Sequence, residues 1–127
     1  MHRFETRVYY EDTDLAGIVY YANYLKYIER ARSEWVRDVG VDQSRLKAEE
    51  DIVFAVKRLV ADYHVPAKFD DVLTIETSVT AMTGARLVLD QRVLKNEMLV
   101  FVAEVTLVAL RGDGRPARLP KSLQSVQ

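Results

Sequence analysis

The sequence predicts an α+β protein in which one long helix packs against an antiparallel sheet. Three patterns indicate this class. The stretch from about Tyr21 to Val39 repeats its apolar residues every three to four positions, as an amphipathic helix does. Four segments of alternating or continuous apolar residues follow it. Short turns join the last three of these segments, and turns that short allow only antiparallel neighbours.

The N-terminal part of the chain divides into a strand, a loop and two helices. The strand is predicted over Arg3–Tyr10, where every second residue is apolar or a threonine: Phe4, Thr6, Val8 and Tyr10. The loop covers Glu11–Tyr20. On the long helix the predicted buried stripe runs through Leu25, Ile28, Ala31 or Arg32, Trp35 and Val39, while the charged residues are solvated or paired, as Arg30 and Glu34 are spaced to be. Gly40 is a natural helix stop, and Gln43–Glu50 adds a short second helix.

Four further strands are predicted, over Ile52–Lys68, Val72–Ala81, Arg86–Leu94 and Leu99–Leu110. The second alternates cleanly, and one of its faces consists of Leu73, Ile75, Thr77, Val79 and Ala81. The fourth is nearly all apolar, which is typical of a strand that is buried on both faces. The tail, Arg115–Gln127, contains two prolines and is predicted to be irregular.

Length and composition exclude several classes of protein. The 127 residues are expected to form a single domain, 1–127. The chain has no cysteine, which excludes disulfides, thiolate catalysis and cysteine-based zinc sites. Its formal net charge of -1 argues against bulk nucleic-acid binding. No apolar stretch approaches the ~20 residues of a membrane span, so we expect no membrane insertion and a cytoplasmic location.

The segment Glu11–Tyr24 is the most informative part of the sequence. It places the carboxylate of Asp14 in a tight turn with Gly17, just before the long helix begins. The N-terminus of a helix offers N–H groups without intrahelical partners, which can hold a developing oxyanion. A carboxylate beside such groups suggests acyl chemistry, in which the acid attacks a carbonyl or activates water.

Two other interpretations of Asp14 compete with catalysis. An aspartate in a turn often serves only the turn or caps the next helix. The run from Asp12 to Gly17 also begins like a calcium-binding loop, but the fifth position is Ala16 and the twelfth is Asn23 instead of glutamate. The calcium interpretation therefore fails, and no metal site is predicted.

Three stretches of the chain resemble one family. YYEDTDLAGIVYYANYLKYIERARSEWVR, VPAKFDDVLTIET and RLPKSL are similar to the hotdog-fold acyl-CoA thioesterases. Within them, the similarity is to the branch of the 4-hydroxybenzoyl-CoA thioesterases and the Tol–Pal-associated, YbgC-like thioesterases. The resemblance covers nearly the whole chain, and the first stretch is long enough to be highly specific.

The resemblance implies a hotdog fold, in which a five-stranded antiparallel sheet wraps around the long central helix. It also implies a homodimer with a continuous sheet, often paired into a homotetramer, with active sites at subunit boundaries. The implied reaction is hydrolysis of an acyl-CoA thioester to a free acid and a thiol, without a metal or redox cofactor. Coenzyme A and an acyl-carrier protein both remain open as the acyl donor.

The same resemblance assigns roles to three positions of the first stretch. Asp14 matches the catalytic carboxylate, as nucleophile or general base, and the backbone N–H of Tyr21 matches the group that polarises the thioester carbonyl. Gly17 lets the loop approach the substrate closely. Two positions depart from the family pattern. The Tol–Pal-associated branch usually has histidine where this chain has Tyr21, and the hydroxybenzoyl branch has a basic cluster where this chain has MTGAR before Leu87.

Other residues are weaker candidates for substrate binding. Val19 and Tyr24 are candidates for an acyl pocket, whereas Tyr27 is predicted to pack in the core. Asn23 is either a buried structural contact or a substrate donor, with structural use as the default. His64 is interpreted as structural and far from the loop, and His2 as a terminal surface residue. One interpretation of Arg86 and the basic residues near the C-terminus is contact with CoA phosphates, and a solvated strand end and tail is an equal alternative: Arg111, Arg115, Arg118 and Lys121.

Two rival functions remain beside thioester hydrolysis. A dehydratase or hydratase on the same fold needs an imidazole beside a carboxylate, and no histidine is near the loop in sequence. A non-catalytic module that binds acyl-CoA or an acyl-carrier protein has no sequence feature against it, because fold alone does not fix function.

Overall fold

The computed structural model describes residues 1–124. Within that range the strands are β1 (His2–Arg7), β2 (Val53–Tyr63), β3 (Val72–Met82), β4 (Arg86–Lys95), β5 (Met98–Leu110) and β6 (Pro116–Ala117). The helices are α1 (Asn23–Asp38), α2 (Gln43–Glu50) and α3 (Lys121–Gln124), and a 3-10 turn spans Tyr10–Asp12. The tail, predicted to be irregular over Arg115–Gln127, instead forms β6 and α3, and its last three residues lie outside the described residues.

The sheet is antiparallel, in the order β1-β3-β4-β5-β2, with β6 paired to β5. Strands β3, β4 and β5 form the meander that their short turns predict. The predicted five strands are therefore present, and the two-residue β6 extends them at the end of β5, where Ala117 lies opposite Ala109. The tail turns back at Arg111, whose N–H donates to the carbonyl oxygen of Arg115 (2.7 Å).

Helix α1 packs across the sheet, but its buried stripe differs from the predicted one. The buried residues are Tyr24, Tyr27, Ile28, Ala31, Trp35 and Val36. Leu25, a predicted member, is 40% exposed. The difference arises because the ring of Tyr24 stacks on Phe101 of β5, with ring centroids 5.0 Å apart. This contact turns Tyr24 to the sheet and its neighbour Leu25 to the outside.

A bulge in β3 changes which residues of that strand face the core, so the predicted face is wrong beyond the bulge. Leu73, Ile75 and Thr77 are buried as predicted. Beyond them the register with β4 shifts between Val79 and Ala81, so that one extra residue enters β3. Ala81 is therefore exposed, although the uninterrupted alternation predicts it on the buried face.

Strand β5 is central in the sheet, and its inner face is buried throughout, whereas on its outer face Thr106 is buried and its neighbours on that face are not. Its inner face consists of Phe101, Ala103, Val105, Leu107 and Ala109, all buried. The outer face carries the exposed Glu104, and Val102 and Val108 are only partly buried. The prediction of burial on both faces is wrong for the single chain, because its helices leave this part of the outer face uncovered.

Strand β1 is shorter than the predicted Arg3–Tyr10. It ends at Arg7, and the chain then enters the 3-10 turn, where Tyr10 is 83% exposed. The N–H of Val8 donates to the carbonyl oxygen of Asp71 (2.8 Å), outside the regular ladder with β3. The strand ends here because the carboxylate of Asp12 accepts the N–H of Tyr9 (2.9 Å) and closes the turn.

A buried polar network joins α1 to the middle of the sheet. Gln91 of β4 is fully buried, and its Nε2 donates to the carbonyl oxygen of Ile28 and to Oγ1 of Thr77, both at 3.0 Å. Its Oε1 accepts from Nη1 of Arg32 (3.0 Å). Burial lowers the pKa of Arg32, and the nearby Glu29 opposes that effect. The prediction that the charges of this helix are solvated or paired is therefore wrong for Arg32, whose hydrogen-bond partner is a neutral amide.

Candidate active site

The loop that carries Asp14 is a short hairpin held by its own backbone. The N–H of Tyr20 donates to the carbonyl oxygen of Asp12 (2.9 Å), and the N–H of Asp14 donates to that of Ile18 (2.9 Å). The tip is a tight turn in which the N–H of Gly17 donates to the carbonyl oxygen of Asp14 (3.0 Å). Gly17 has φ of +79°, a left-handed conformation that favours glycine. This glycine therefore serves the shape of the turn.

The carboxylate of Asp14 closes the same turn and lies at the surface of the single chain. Its Oδ1 accepts the N–H of Ala16 (2.9 Å), and the side chain is exposed. Asp14 therefore does stabilise the turn, as one of its interpretations predicts, and this role uses only Oδ1. It leaves Oδ2 without a hydrogen bond to any residue of the described range, so that one carboxylate oxygen is available for chemistry.

The first amides of α1 lie next to this hairpin. The N–H of Asn23 donates to the carbonyl oxygen of Tyr20 (2.8 Å), and Ala22 at the N-cap position offers no capping side chain. No acceptor within residues 1–124 takes the N–H of Tyr21. Tyr20, the residue before Tyr21, pairs with Asp12, which is two residues along the hairpin from Asp14.

Asn23 ties the hairpin to the helix. Its Nδ2 donates to the carbonyl oxygen of Asp12 (2.9 Å), the same oxygen that accepts the N–H of Tyr20. The default interpretation of Asn23, a structural contact, describes what this side-chain nitrogen does. A contact between Asn23 and substrate stays a prediction.

An open groove of about 340 Å³ borders the amide end of the hairpin. It is lined by Ile18, Val19, Tyr21, Tyr24, Tyr63, His64, Val65 and Pro66. Three predicted site residues therefore come together here: Val19, Tyr21 and Tyr24. The groove forms because the N–H of Val19 donates to the carbonyl oxygen of Ala67 (2.8 Å), which holds the hairpin against the chain after β2.

Five residues of the groove were not predicted as site residues: Ile18, Tyr63, His64, Val65 and Pro66. His64 is far from the hairpin in sequence, and the expectation that it is also far in space is wrong. Tyr63 received no role. The stretch VPAKFDDVLTIET, whose resemblance to the family begins at Val65, was the available signal that the residues around the end of β2 belong to the site.

An aromatic cluster supports the floor of the groove. The ring of Tyr63 packs edge-on against Tyr24 and Phe101, at centroid distances of 5.6 and 5.0 Å. Oη of Tyr24 accepts the N–H of Ala67 (3.1 Å), and Oη of Tyr63 donates to the carbonyl oxygen of Tyr21 (2.8 Å). Burial raises the pKa of both Tyr24 and Tyr63, so both phenols stay protonated around neutral pH. Each hydroxyl therefore fixes one backbone segment of the groove.

Tyr27 extends this cluster into the core, as predicted. Its side chain is 1% exposed, and its ring packs edge-on against Tyr24 at 6.0 Å. Burial and the carboxylate of Asp12 raise the pKa of Tyr27, yet its hydroxyl makes no hydrogen bond of normal geometry within the described residues.

Arg86 lies apart from the groove within one chain. It pairs with Val108 of β5, whereas Tyr63 pairs with Phe101, seven residues away along the same strand. That separation is roughly 23 Å at ~3.3 Å per residue. The structure therefore does not bring Arg86 to the other predicted site residues in a single subunit.

The basic residues near the C-terminus surround a second groove, of about 580 Å³. Arg111, Arg118 and Lys121 line it, together with the acidic Glu50. Nη1 of Arg111 donates to the carbonyl oxygen of Glu50 (2.8 Å). Arg118 lies so close to Gly84 that a Cβ there would be 2.5 Å from its Nη2. Arg115 is not among the lining residues and pairs with Asp113 (2.7 Å).

Residues 1–124 contain neither a metal-binding cluster nor a helix that could span a membrane. No group of three or more histidine, aspartate or glutamate side chains is arranged to hold a metal ion. None of the described helices is both long and apolar enough to cross a membrane.

Comparison with known proteins identifies the family. The model of the thioesterase-like superfamily matches residues 8–126. The chain belongs to the thioesterase-like superfamily. It is 41% identical to the acyl-CoA thioesterase YbgC of Haemophilus influenzae, across 96% of this chain and 90% of that one. It is 42% identical to the acyl-CoA thioester hydrolase YbgC of Escherichia coli O6:H1, across 97% and 92%.

A solved structure agrees with this family. The crystal structure of a probable thioesterase from Bartonella henselae superposes with a TM-score of 0.90 at 37% identity, covering 94% of this chain and 98% of that one. The predicted hotdog fold and the predicted family are therefore confirmed. The predicted class of enzyme, a thioester hydrolase, is confirmed with them.

Proposed function

We propose that this thioesterase hydrolyses acyl-CoA, with Asp14 as the reacting carboxylate and the Tyr21 amide as the oxyanion donor. One observation carries the proposal: the Asp14 hairpin is bonded to the start of α1, and the Tyr21 N–H, one residue before the N-cap Ala22, has no acceptor within residues 1–124. An unpaired N–H at a helix N-terminus can stabilise a developing oxyanion. The YbgC relatives, which bear names of acyl-CoA thioesterases, support the same substrate.

Two routes agree with this arrangement. In the nucleophilic route an oxygen of Asp14 bonds to the thioester carbon, the C–S bond breaks, and water then hydrolyses the resulting anhydride. In the general-base route Asp14 removes a proton from water while the water oxygen attacks the same carbon. Both routes release coenzyme A as a thiolate, a good leaving group that needs little help from an acid. Single turnover in ¹⁸O-labelled water tests for the nucleophilic route, because attack of water on the aspartyl carbon of the anhydride labels Asp14, whereas the general-base route labels the product acid alone.

Thiol release from a panel of acyl-CoA esters tests the proposed function. We expect the protein to liberate coenzyme A from short aliphatic, long aliphatic or aromatic esters, followed continuously with a disulfide reagent. The apolar residues and tyrosine rings that line the groove suit an acyl group more than a charged one. A protein that bound these esters tightly without releasing thiol would instead be a binding module. Hydration of an enoyl ester without hydrolysis would indicate a dehydratase.

The basic groove is the proposed contact for the phosphates of coenzyme A. Arg111, Arg118 and Lys121 supply cations there, and arginine suits phosphate because its donors are fork-shaped. We expect Arg118→Gln with Lys121→Gln to raise KM for a CoA ester by about fivefold, the modest effect of exposed charges. KM for the matching pantetheine ester should not change. Arg115→Gln is the control, since Arg115 already pairs with Asp113. Equal changes in KM for the CoA ester and the pantetheine ester would contradict the proposed contact with phosphate.

A homodimer through β2 belongs to the same proposal. β2 is an edge strand of 11 residues, and Val56 and Val60 on it are 48% and 44% exposed. A long open edge of this kind favours pairing with a second chain. Light scattering that found only the 14.6 kDa mass of one chain would exclude the dimer. The tetramer, an acyl-carrier-protein donor and the cytoplasmic location stay predictions.

A further inference from the structure

The tyrosine at the end of β2 reaches across the groove to the segment that carries the proposed oxyanion donor. Oη of Tyr63 donates to the carbonyl oxygen of Tyr21 at 2.8 Å. The ring of Tyr63 is held by Phe101, its partner across the sheet, and by Tyr24 of α1. The hydroxyl is therefore at the end of a ring that is half exposed and is contacted by two aromatic neighbours.

The Tyr21 carbonyl has no backbone donor of its own. The N–H of Asn23 goes to the carbonyl oxygen of Tyr20, and the N–H of Leu25 goes to that of Ala22 (3.2 Å). The carbonyl between them accepts only the Tyr63 hydroxyl within the described residues. The side chain of Tyr21 is 62% exposed, so its own packing holds the residue less than a buried ring would.

The hydrogen bonds around this residue fix two successive peptide planes. The Tyr20–Tyr21 peptide is held through its carbonyl by Asn23, and its N–H points the opposite way because the peptide is trans. That N–H is the proposed oxyanion donor. The next peptide is held through its carbonyl by Tyr63. Together the two bonds restrict the rotation of Tyr21 about its own Cα.

We propose that Tyr63 is a positioning residue, whose hydroxyl fixes the backbone of Tyr21 so that its N–H meets the thioester carbonyl. The inference rests on the proposed function and extends it to a residue 42 positions away in the chain. A donor that is held in place before the reaction stabilises the transition state without reorganising during the step. Substrate binding in the ground state depends less on the orientation of this N–H. Loss of the Tyr63 hydroxyl should therefore lower kcat more than it changes KM.

Tyr63→Phe tests the inference because it keeps the ring and removes one hydrogen bond. We expect kcat to fall by about three- to tenfold, the kinetic equivalent of one ordinary hydrogen bond, with KM within about twofold. Tyr10→Phe is the matched control: it removes a phenol from an exposed ring that contacts Phe69, and its kinetics should equal those of wild type. Thermal unfolding of both variants shows whether either change is merely structural.

The amide signal of Tyr21 in ¹⁵N NMR adds a readout that does not need turnover. In Tyr63→Phe this signal should shift, whereas Tyr10→Phe should leave it unchanged. An active Tyr63→Phe enzyme with wild-type kcat, or with an unaltered Tyr21 signal, would overturn the inference alone. A rise in KM at constant kcat would make Tyr63 a substrate contact and also overturn it. A wild-type protein inactive on every acyl-CoA would remove the proposed function, and the inference with it.

Discussion

Asp14→Asn should lower kcat for acyl-CoA hydrolysis by about 10²–10⁴-fold, whichever route the carboxylate takes. Asparagine retains an oxygen for the N–H of Ala16, so the turn that Oδ1 closes is preserved. What the variant loses is the negative charge, together with the ability to attack the carbonyl or take a proton from water. Steady-state thiol release measures the loss, and circular dichroism verifies that the fold is intact.

Asp12→Asn is the matched control on the same hairpin. The carboxylate of Asp12 accepts the N–H of Tyr9, and the amide oxygen of asparagine can accept it equally. We expect kcat within about threefold of wild type, because the amide keeps the turn closed and no proposed reacting group is lost. Nearly wild-type turnover by Asp14→Asn would refute the catalytic assignment. A large loss in Asp12→Asn alone would transfer the role to the other aspartate of the hairpin.

The second large effect is expected in stability, from Gln91→Leu at the centre of the sheet. Leucine fills a similar volume but makes none of the three hydrogen bonds of Gln91. Those bonds join it to the carbonyl of Ile28, the hydroxyl of Thr77 and the guanidinium of Arg32. Buried groups without partners cost about 1–3 kcal/mol each, and more for a charge. We therefore expect the free energy of unfolding in urea to fall by about 3–4 kcal/mol.

A double-mutant cycle identifies the source of that cost. Arg32→Met alone leaves only Oε1 of Gln91 without its donor, so we expect it to cost about 1–2 kcal/mol. In the double variant the unpaired charge no longer exists, and about 1–2 kcal/mol of the loss should be recovered. Strict additivity of the two single changes would contradict this explanation and leave the loss of the Ile28 and Thr77 bonds as the cause.

Local patterns were sufficient to predict the five longer strands and the two longer helices, but not β6 and α3. The 3.6-residue period predicted α1 to within two residues at its start, and short turns predicted the β3–β4–β5 meander. The errors arose where long-range contacts decide the outcome. The contact of Tyr24 with Phe101 rotates the buried stripe of α1, and a bulge moves Ala81 to the surface. Neither the ring contact nor the bulge produces a periodic pattern in the sequence of its own segment.

The candidate site was predictable in its first half only. Asp14, Gly17 and Tyr21 lie within eight consecutive residues, so one motif with turn chemistry reveals them. Tyr63 and His64 lie beside Tyr21 through the pairing of Val19 with Ala67, a contact across 48 positions that no local pattern encodes. The partnership of Arg32 with Gln91 was missed for the same reason, since 59 positions separate them.

The pairing of β1 with β3 has a consequence for how the chain folds. His2 lies opposite Thr77, so this contact closes a loop of about 75 residues, whereas β3, β4 and β5 meet through tight turns. Closing a long loop costs more chain entropy than forming a local hairpin, so we expect β1 to dock late. The Asp14 hairpin connects β1 to α1, so its position depends on the docking of β1. Catalytic competence should therefore emerge in the last phase of refolding, after most of the sheet has acquired its native circular dichroism.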